Sequence, residues 1–186
     1  MKKLMTRLVA ASVLLLPAAG HHASAATKTP TYTLPSVTNA TVAKQLKEGT
    51  YIYKRSDGKK IKMGDTFGTL RTTYGDPKFF TTNRTAKISN FTATYGYSTT
   101  PVKFAGDVSK GLYNFDTAPI EMMVFNYNNK YTLDTIQKVY GEAPLIKKMS
   151  DVQYNYYYSN GFYLTYYKVD GVLKLNSMTY YKLLNN

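Results

Sequence analysis

The chain has 186 residues and a formal net charge of +13, and it contains neither cysteine nor tryptophan. Its two histidines are the adjacent His21 and His22, close to the N-terminus. Beyond residue 22 the chain therefore cannot form a disulfide, a Cys–His nucleophile, a Ser-His-Asp triad or an ordinary Cys/His zinc site. These exclusions favour a binding protein over several large classes of enzyme.

Residues 1–25 have the pattern of a secretory signal peptide. A basic start and an apolar stretch over residues 8–16 are followed by the small residues Ala23-Ser24-Ala25. The apolar stretch is short and Pro17 follows it, which favours cleavage over an uncleaved membrane anchor. We therefore expect a secreted, extracellular protein or one that stays associated with the cell surface. Cleavage would remove three bases and leave 21 bases, 11 acids and a net charge of +10.

The next elements are short. Residues 26–36 are rich in Thr and Pro and are predicted to be disordered. Residues 38–48 predict a helix that ends at Gly49. Residues 51–54 and 60–63 predict two strands joined by a turn at Asp57-Gly58. No later apolar run approaches the ~20 residues of a membrane-spanning helix, so stable membrane insertion is not expected.

An internal repeat organises the rest of the chain. Residues 66–75 and 132–141 both fit the pattern Thr-(apolar)-x-Thr-(apolar)-x-x-x-Tyr-Gly, and a proline follows each segment. The pattern predicts two short helices, each with a Thr N-cap and a Gly stop. Coincidence between two short helices is the alternative, and the shared Thr and Tyr positions favour duplication.

Strand-like sequence follows each of these two helices. Asn160-Gly161 and Asp170-Gly171 are strong hairpin turn signals between alternating segments. The predicted fold is α+β, with two helix–antiparallel-meander repeats and short helices packed on one face of a twisted sheet. The first repeat is assigned to residues 37–128, including the N-terminal helix and hairpin, and the second to residues 129–186.

Two-residue turns fix the register of the paired strands, and register decides which side chains share a face. Regular pairing from both turns predicts a core face carrying Tyr157, Phe162, Leu164, Tyr166, Leu173 and Leu175. The opposite face is then predicted to carry Thr165, Lys174, Asn176, Met178 and six tyrosines: Tyr154, Tyr156, Tyr158, Tyr163, Tyr167 and Tyr180.

A lysine-bearing face of tyrosines can stack nucleotide bases, and lysine clusters attract phosphate backbones. Two such clusters are predicted beside the sheet: Lys147 and Lys148 before it, and Lys54, Arg55, Lys59, Lys60 and Lys62 around the N-terminal hairpin. These residues and the tyrosines form the predicted site for extracellular DNA or RNA. Two alternatives stay open. The face could pack against the other repeat, or it could bind a protein or a cell-wall polymer.

The acidic residues give no reason to expect catalysis. Most of them fall at turns or helix caps, and no pair is arranged as an acid and a base. Ser56, Ser109 and Ser150 lie near lysines, so a Ser-Lys dyad stays open, but nothing marks one of them as activated. We expect no enzyme activity, no cofactor and no metal.

Three segments carry a resemblance to a known family. Residues 132–141, residues 156–161 (Tyr-Tyr-Tyr-Ser-Asn-Gly) and residues 178–182 (Met-Thr-Tyr-Tyr-Lys) resemble the C-terminal half of the immunodominant staphylococcal antigen B family. The resemblance implies a small secreted basic antigen, associated with virulence, that binds extracellular nucleic acid without clear sequence preference. The repeat is also similar to the tandem fold of β-lactamase inhibitor proteins and related small lipoproteins. This chain lacks their disulfides and lipid-bearing Cys, so the resemblance implies protein binding rather than lactamase inhibition.

Overall fold

The computed structural model describes residues 30–84, 89–96, 101–108 and 114–182. The predicted signal peptide and residues 26–29 lie outside these ranges. The helices are α1 (Ala40–Glu48), α2 (Phe67–Tyr74) and α3 (Leu133–Tyr140), with a short 3-10 helix at Phe115–Thr117. The strands are β1 (Ile52–Lys54), β2 (Lys60–Lys62), β3 (Phe79–Arg84), β4 (Ser89–Tyr95), β5 (Val102–Asp107), β6 (Met122–Thr132), β7 (Leu145–Lys148), β8 (Gln153–Ser159), β9 (Phe162–Val169) and β10 (Val172–Tyr181).

The sheet order confirms the predicted α+β fold of two repeats. Strands β1 and β2 pair by themselves, and the other eight form one antiparallel sheet in the order β3-β4-β5-β6-β10-β9-β8-β7. Each half is a helix followed by a four-stranded meander, and the last strands of the two meanders, β6 and β10, pair at the centre. β6 continues through residues 128 and 129, where the sequence placed the division between repeats. Strand β6 extends to Thr132, which is also the N-cap of α3.

The repeated Thr and Gly residues begin and end the repeat helices as predicted. Thr66 and Thr132 are the N-caps, and their hydroxyls accept from the backbone N–H of Thr69 and Thr135. These caps satisfy amide donors that have no partner inside the helix. Gly75 and Gly141 follow the helices with φ of 83° and 70°, which side chains with a Cβ disfavour. Each helix therefore stops where the sequence pattern places its glycine.

One face of the eight-stranded sheet carries the helices and the β1–β2 hairpin. Tyr53 of the hairpin contacts the rings of Phe104 and Phe125, and Tyr140 of α3 contacts Tyr158 and Phe162. Buried aromatic side chains thus fill the space between the sheet and the elements above it. We refer to this as the helix-covered face and to the opposite side as the open face, on which no helix of the described residues packs.

Residues 30–36 pack against the core, contrary to the prediction that they are disordered. Tyr32 packs against the rings of Tyr74 and Tyr95, and its hydroxyl donates to the carbonyl oxygen of Tyr74 at 3.3 Å. Tyr127 donates from its hydroxyl to the carbonyl oxygen of Pro35. Composition missed these contacts because a few aromatic and apolar side chains are enough to hold a polar segment on the core.

No helix in the described part of the chain is long and apolar enough to cross a membrane.

Candidate functional site

A β-bulge beside the first hairpin turn decides the faces of β8. Ser159 pairs with Phe162 as predicted, but Tyr157, and not Tyr158, pairs with Tyr163. Tyr158 is the extra residue, and it shifts every earlier position of β8 to the other face. The turn differs from expectation as well, since neither Asn160 nor Gly161 has the positive φ of a type I′ turn. At Asp170-Gly171 both residues have positive φ, 52° and 80°, and the predicted register holds through Leu175.

A second bulge has the same effect on β10. The register of β10 shifts between Leu175 and Ser177 against both of its neighbours. Against β9, Asn176 is the extra residue, whereas against β6 the extra residues belong to β6, where residues 127–130 stand opposite Asn176 alone. Beyond it, Met178 pairs with Leu164 and Tyr180 with Phe162, on the helix-covered face. Tyr181, Thr179 and Ser177 consequently lie on the open face.

The two bulges overturn the predicted positions of four tyrosines. Tyr156, Tyr158 and Tyr180 are buried in the core, and Tyr154 packs partly buried against it. The prediction that they share a ligand-facing surface with Tyr163 is wrong, because the sheet backbone lies between the two groups. Tyr157, predicted to be in the core, lies on the open face instead. Phe162, Leu164, Tyr166 and Leu175 are fully buried, as predicted.

The open face brings together three tyrosines from three neighbouring strands. The ring centroids of Tyr157 and Tyr163 are 5.0 Å apart, and those of Tyr163 and Tyr181 are 6.0 Å apart. Lys147, on the adjacent edge strand, has its Nζ 5.2 Å from the centre of the Tyr157 ring. All three rings are half-buried, so each keeps part of its surface open to solvent. Among the described residues, this cluster is the densest aromatic group on the open face.

A cleft of about 360 Å³ borders this cluster. Tyr157 and Tyr181 line it on the sheet side, and Pro144, Leu145 and Lys147 line it on the side of the edge strand. The lining of this cleft thus combines two aromatic rings with the positive charge of Lys147.

A fourth tyrosine extends the surface along β9. Tyr167 follows Tyr163 by four residues on the same face, roughly 13 Å away at about 3.3 Å per residue. Its hydroxyl donates to Oε1 of Gln153 at 3.2 Å, and Lys174 is its direct cross-strand partner. Together, Tyr157, Tyr163, Tyr167, Tyr181, Lys147 and Lys174 make up what we term the tyrosine face.

The surface between the two ends of the tyrosine face is recessed. Thr165, Asn155 and Thr179 point to the open face, yet they are only 7%, 6% and 4% exposed, because the larger side chains of neighbouring tyrosines flank them. Thr165 donates from its hydroxyl to Oδ1 of Asn155 at 2.9 Å, which fixes both side chains. The result is a shallow polar trough with aromatic groups at either end.

The predicted lysines are divided between the two sides of the sheet. Lys147 and Lys174 lie on the open face, whereas Lys148 points to the other side and pairs with Asp151 at 2.8 Å. The remaining predicted bases belong to the β1–β2 hairpin, which packs on the helix-covered face through Tyr53 and Ile61. The hairpin lysines therefore cannot share one ligand surface with the tyrosines.

Arg55 is a structural residue rather than an exposed base. It is 7% exposed, and its Nε and Nη2 donate to the two carboxylate oxygens of Asp57 at 3.0 and 2.6 Å. Its Nη1 donates to the carbonyl oxygen of Tyr74, and its guanidinium lies 4.6 Å from the Tyr74 ring centre. Lys54, Lys59, Lys60 and Lys62 are exposed, and we name these four the lysine hairpin.

Tyr157 and Tyr181 belong to the site, but regular alternation does not place them there. Alternation finds the face of a strand only while pairing is regular, and each of these residues lies beyond a bulge from its turn. A signal existed in β8, where Tyr occupies four of five consecutive positions, so either register places tyrosines on both faces.

Tyr181 offers a neutral hydroxyl on the tyrosine face. Burial, followed by the neighbouring Tyr157 and Tyr163, raises the pKa of Tyr181 above its ordinary value. Among the described residues, no three acidic side chains gather where they could hold a metal ion. The site can therefore stack, donate hydrogen bonds and attract anions.

Comparison with known proteins adds no relative. No family model, curated protein or solved structure matches this chain.

Proposed function

We propose that this protein is a secreted nucleic-acid-binding protein that holds single-stranded DNA or RNA on its tyrosine face. The observation that carries the proposal is the cluster of Tyr157, Tyr163 and Tyr181 beside Lys147 on a face that none of the described helices covers. Bases stack on aromatic rings at about 1–3 kcal/mol each, whatever their identity. Such binding has little sequence preference, in keeping with the resemblance drawn from the sequence.

Charge supports the same ligand. The net charge is +13 for the full chain and +10 without the predicted signal peptide. Lys103, Lys147 and Lys174 of the open face take part in none of the ion pairs between described residues. Lysines without acidic partners are free to neutralise phosphates and release their counterions. The tyrosines can thus stack on the bases of a nucleic acid, and the lysines can neutralise its phosphates.

The test compares a mixed-sequence single-stranded oligonucleotide with inorganic polyphosphate, which has the charge but no bases. Fluorescence anisotropy should show tighter binding to the oligonucleotide, and a log–log salt slope of about −0.7 per neutralised phosphate. A duplex of the same sequence should bind more weakly, because its bases are already stacked on one another. If the oligonucleotide shows no binding at ~50 mM salt and micromolar protein, the proposal fails, given typical non-specific affinities.

A second function uses the same face for a protein or a cell-envelope polymer. The observation in its favour is the edge strand β7, where Leu145 pairs with Tyr157 on the open face and is 48% exposed. Apolar and tyrosine side chains together are common in protein interfaces. Polyphosphate competing as well as the oligonucleotide would favour an anionic envelope polymer, and a partner from the culture medium that stays bound after nuclease treatment would favour a protein.

A further inference from the structure

We propose that the lysine hairpin is a second, separate phosphate-binding site, so that one molecule bridges two nucleic-acid strands. The inference rests on the proposed function, because the first strand is the one held by the tyrosine face.

The two sites point in opposite directions. Tyr53 and Ile61 turn one side of the hairpin toward Phe104 and Phe125 on the helix-covered face, and both are fully buried. Alternation along β1 and β2 then turns the lysines to the other side of the hairpin, into solvent. Stacked layers of strands are about 10 Å apart, and this adds to the separation between the lysines and the tyrosine face. A short strand lying on one site does not reach the other.

The arrangement of charges on the hairpin is unfavourable without an anion. Lys54 and Lys60 are direct cross-strand partners, and like charges placed opposite each other destabilise a β-ladder. Lys62 adds a further charge next to this pair, while Lys59 donates from its Nζ to the carbonyl oxygen of Thr73 at 3.1 Å. None of the four takes part in an ion pair within the described residues. A phosphate backbone placed along the hairpin relieves this repulsion.

The hairpin also has no exposed aromatic ring on which a base could stack. Ile52 is the remaining residue on its exposed side, and it is 47% exposed. Tyr51 and Tyr53 are buried beneath it. The ligand of the hairpin is therefore recognised through its phosphates alone, which suits a duplex as well as a single strand.

The bridging test uses a biotinylated oligonucleotide on beads and a second, fluorescent oligonucleotide that is not complementary to it. Wild-type protein should retain the fluorescent strand on the beads, and a large excess of protein should release it as each strand binds its own protein molecule. The variant Lys54→Gln/Lys60→Gln/Lys62→Gln should still bind one strand in solution but should lose the retained fluorescence. Its salt slope on duplex should fall by about 1 per lysine.

The matched control is Lys44→Gln/Lys130→Gln/Lys138→Gln, which removes the same charge from exposed positions outside both sites. This control should bridge like the wild type. If the hairpin variant bridges as well as the control, or if the wild type binds single strands but never bridges, the second site does not exist and the proposed function stands. If the wild type binds no oligonucleotide, the proposed function itself fails. Retention of phosphatidylglycerol vesicles in place of the second strand, lost in the hairpin variant, would assign the hairpin to membrane surfaces and overturn bridging.

Discussion

Lys47 of α1 forms a hydrogen bond with the C-terminal end of α3. Its Nζ donates to the carbonyl oxygen of Tyr140, the last residue of α3, at 2.6 Å. In the first repeat, Arg55 donates to the carbonyl oxygen of Tyr74, the last residue of α2. The two tyrosines occupy equivalent positions of the repeat. In both halves, a cation from the N-terminal segment therefore satisfies a free carbonyl and lies at the negative end of a helix dipole. The N-terminal helix and hairpin thus stabilise the ends of both repeat helices.

We expect Lys47→Met to lower the free energy of unfolding by about 1 kcal/mol, because it removes this hydrogen bond and the helix-end charge. The Nζ also lies 5.5 Å from the centre of the Tyr158 ring, a contact that Met keeps only in part. Urea denaturation gives the change. The control is Lys44→Met in the same helix, where the side chain is 73% exposed and the effect should stay below about 0.5 kcal/mol.

Replacing Tyr157 or Tyr163 by Ala should weaken single-strand binding by about 5- to 150-fold each, the equivalent of one lost base stack. The matched variants Tyr157→Phe and Tyr163→Phe keep the ring and should bind almost like the wild type. Anisotropy titrations measure both pairs. Equal losses in the Ala and Phe variants would show that the hydroxyls, and not stacking, provide the contact.

Tyr156→Ala should lower the stability and leave binding unchanged, whereas Tyr157→Ala at the neighbouring position should weaken binding. Tyr156 is 6% exposed and its ring lies 4.9 Å from that of Tyr166, so its truncation leaves a cavity in the core. We expect a loss of about 3–5 kcal/mol in unfolding free energy. Binding by the fraction that remains folded should be unchanged. A folded Tyr156→Ala protein that has lost binding would contradict the position of this ring.

Tyr53→Phe should leave the stability unchanged or raise it. The Tyr53 hydroxyl is buried and has no hydrogen-bond partner among the described residues, and burial raises its pKa far above the ordinary value. Removing an unsatisfied buried hydroxyl takes away a desolvation penalty of about 1–3 kcal/mol, partly offset by the gap it leaves. Thermal and urea unfolding test this, and a clear loss of stability would show that the hydroxyl has a partner in the folded protein.

Acid should weaken the fold partly through Asp57. Its hydrogen bonds with Arg55 lower the pKa of this carboxyl to about 2, below the value of about 3.9 in an unfolded chain. The folded state therefore favours the ionised form, and this contribution is complete above pH ~4 and lost as the pH falls through ~2. Asp57→Asn should flatten the stability profile in that range. The control variant is Asp170→Asn, at an exposed turn that takes part in none of the ion pairs between described residues.

The local signals in the sequence were sufficient for most of the fold. Thr66 and Thr132 cap helices, Gly75 and Gly141 end them, and Asp170-Gly171 forms the expected turn, since each depends on a few neighbouring residues. The faces of β8 and of the end of β10 were not predictable, because a bulge depends on pairing with a partner strand. Of the predicted site residues, Tyr163, Tyr167, Lys147 and Lys174 share the open face, whereas Tyr154, Tyr156, Tyr158 and Tyr180 do not.

The bulge at Tyr158 also affects how strongly the pairing register of β8 is determined. In most half-buried strands, a slip of one residue moves apolar side chains into water and is strongly disfavoured. Here such a slip would exchange Tyr156 for Tyr157, two residues of the same size and polarity, so the tyrosines alone discriminate poorly between the two pairings. The same slip would carry Asn155 toward the apolar core and break its hydrogen bond with Thr165. The buried polar pair of Asn155 and Thr165, rather than the tyrosines, therefore determines the register of β8.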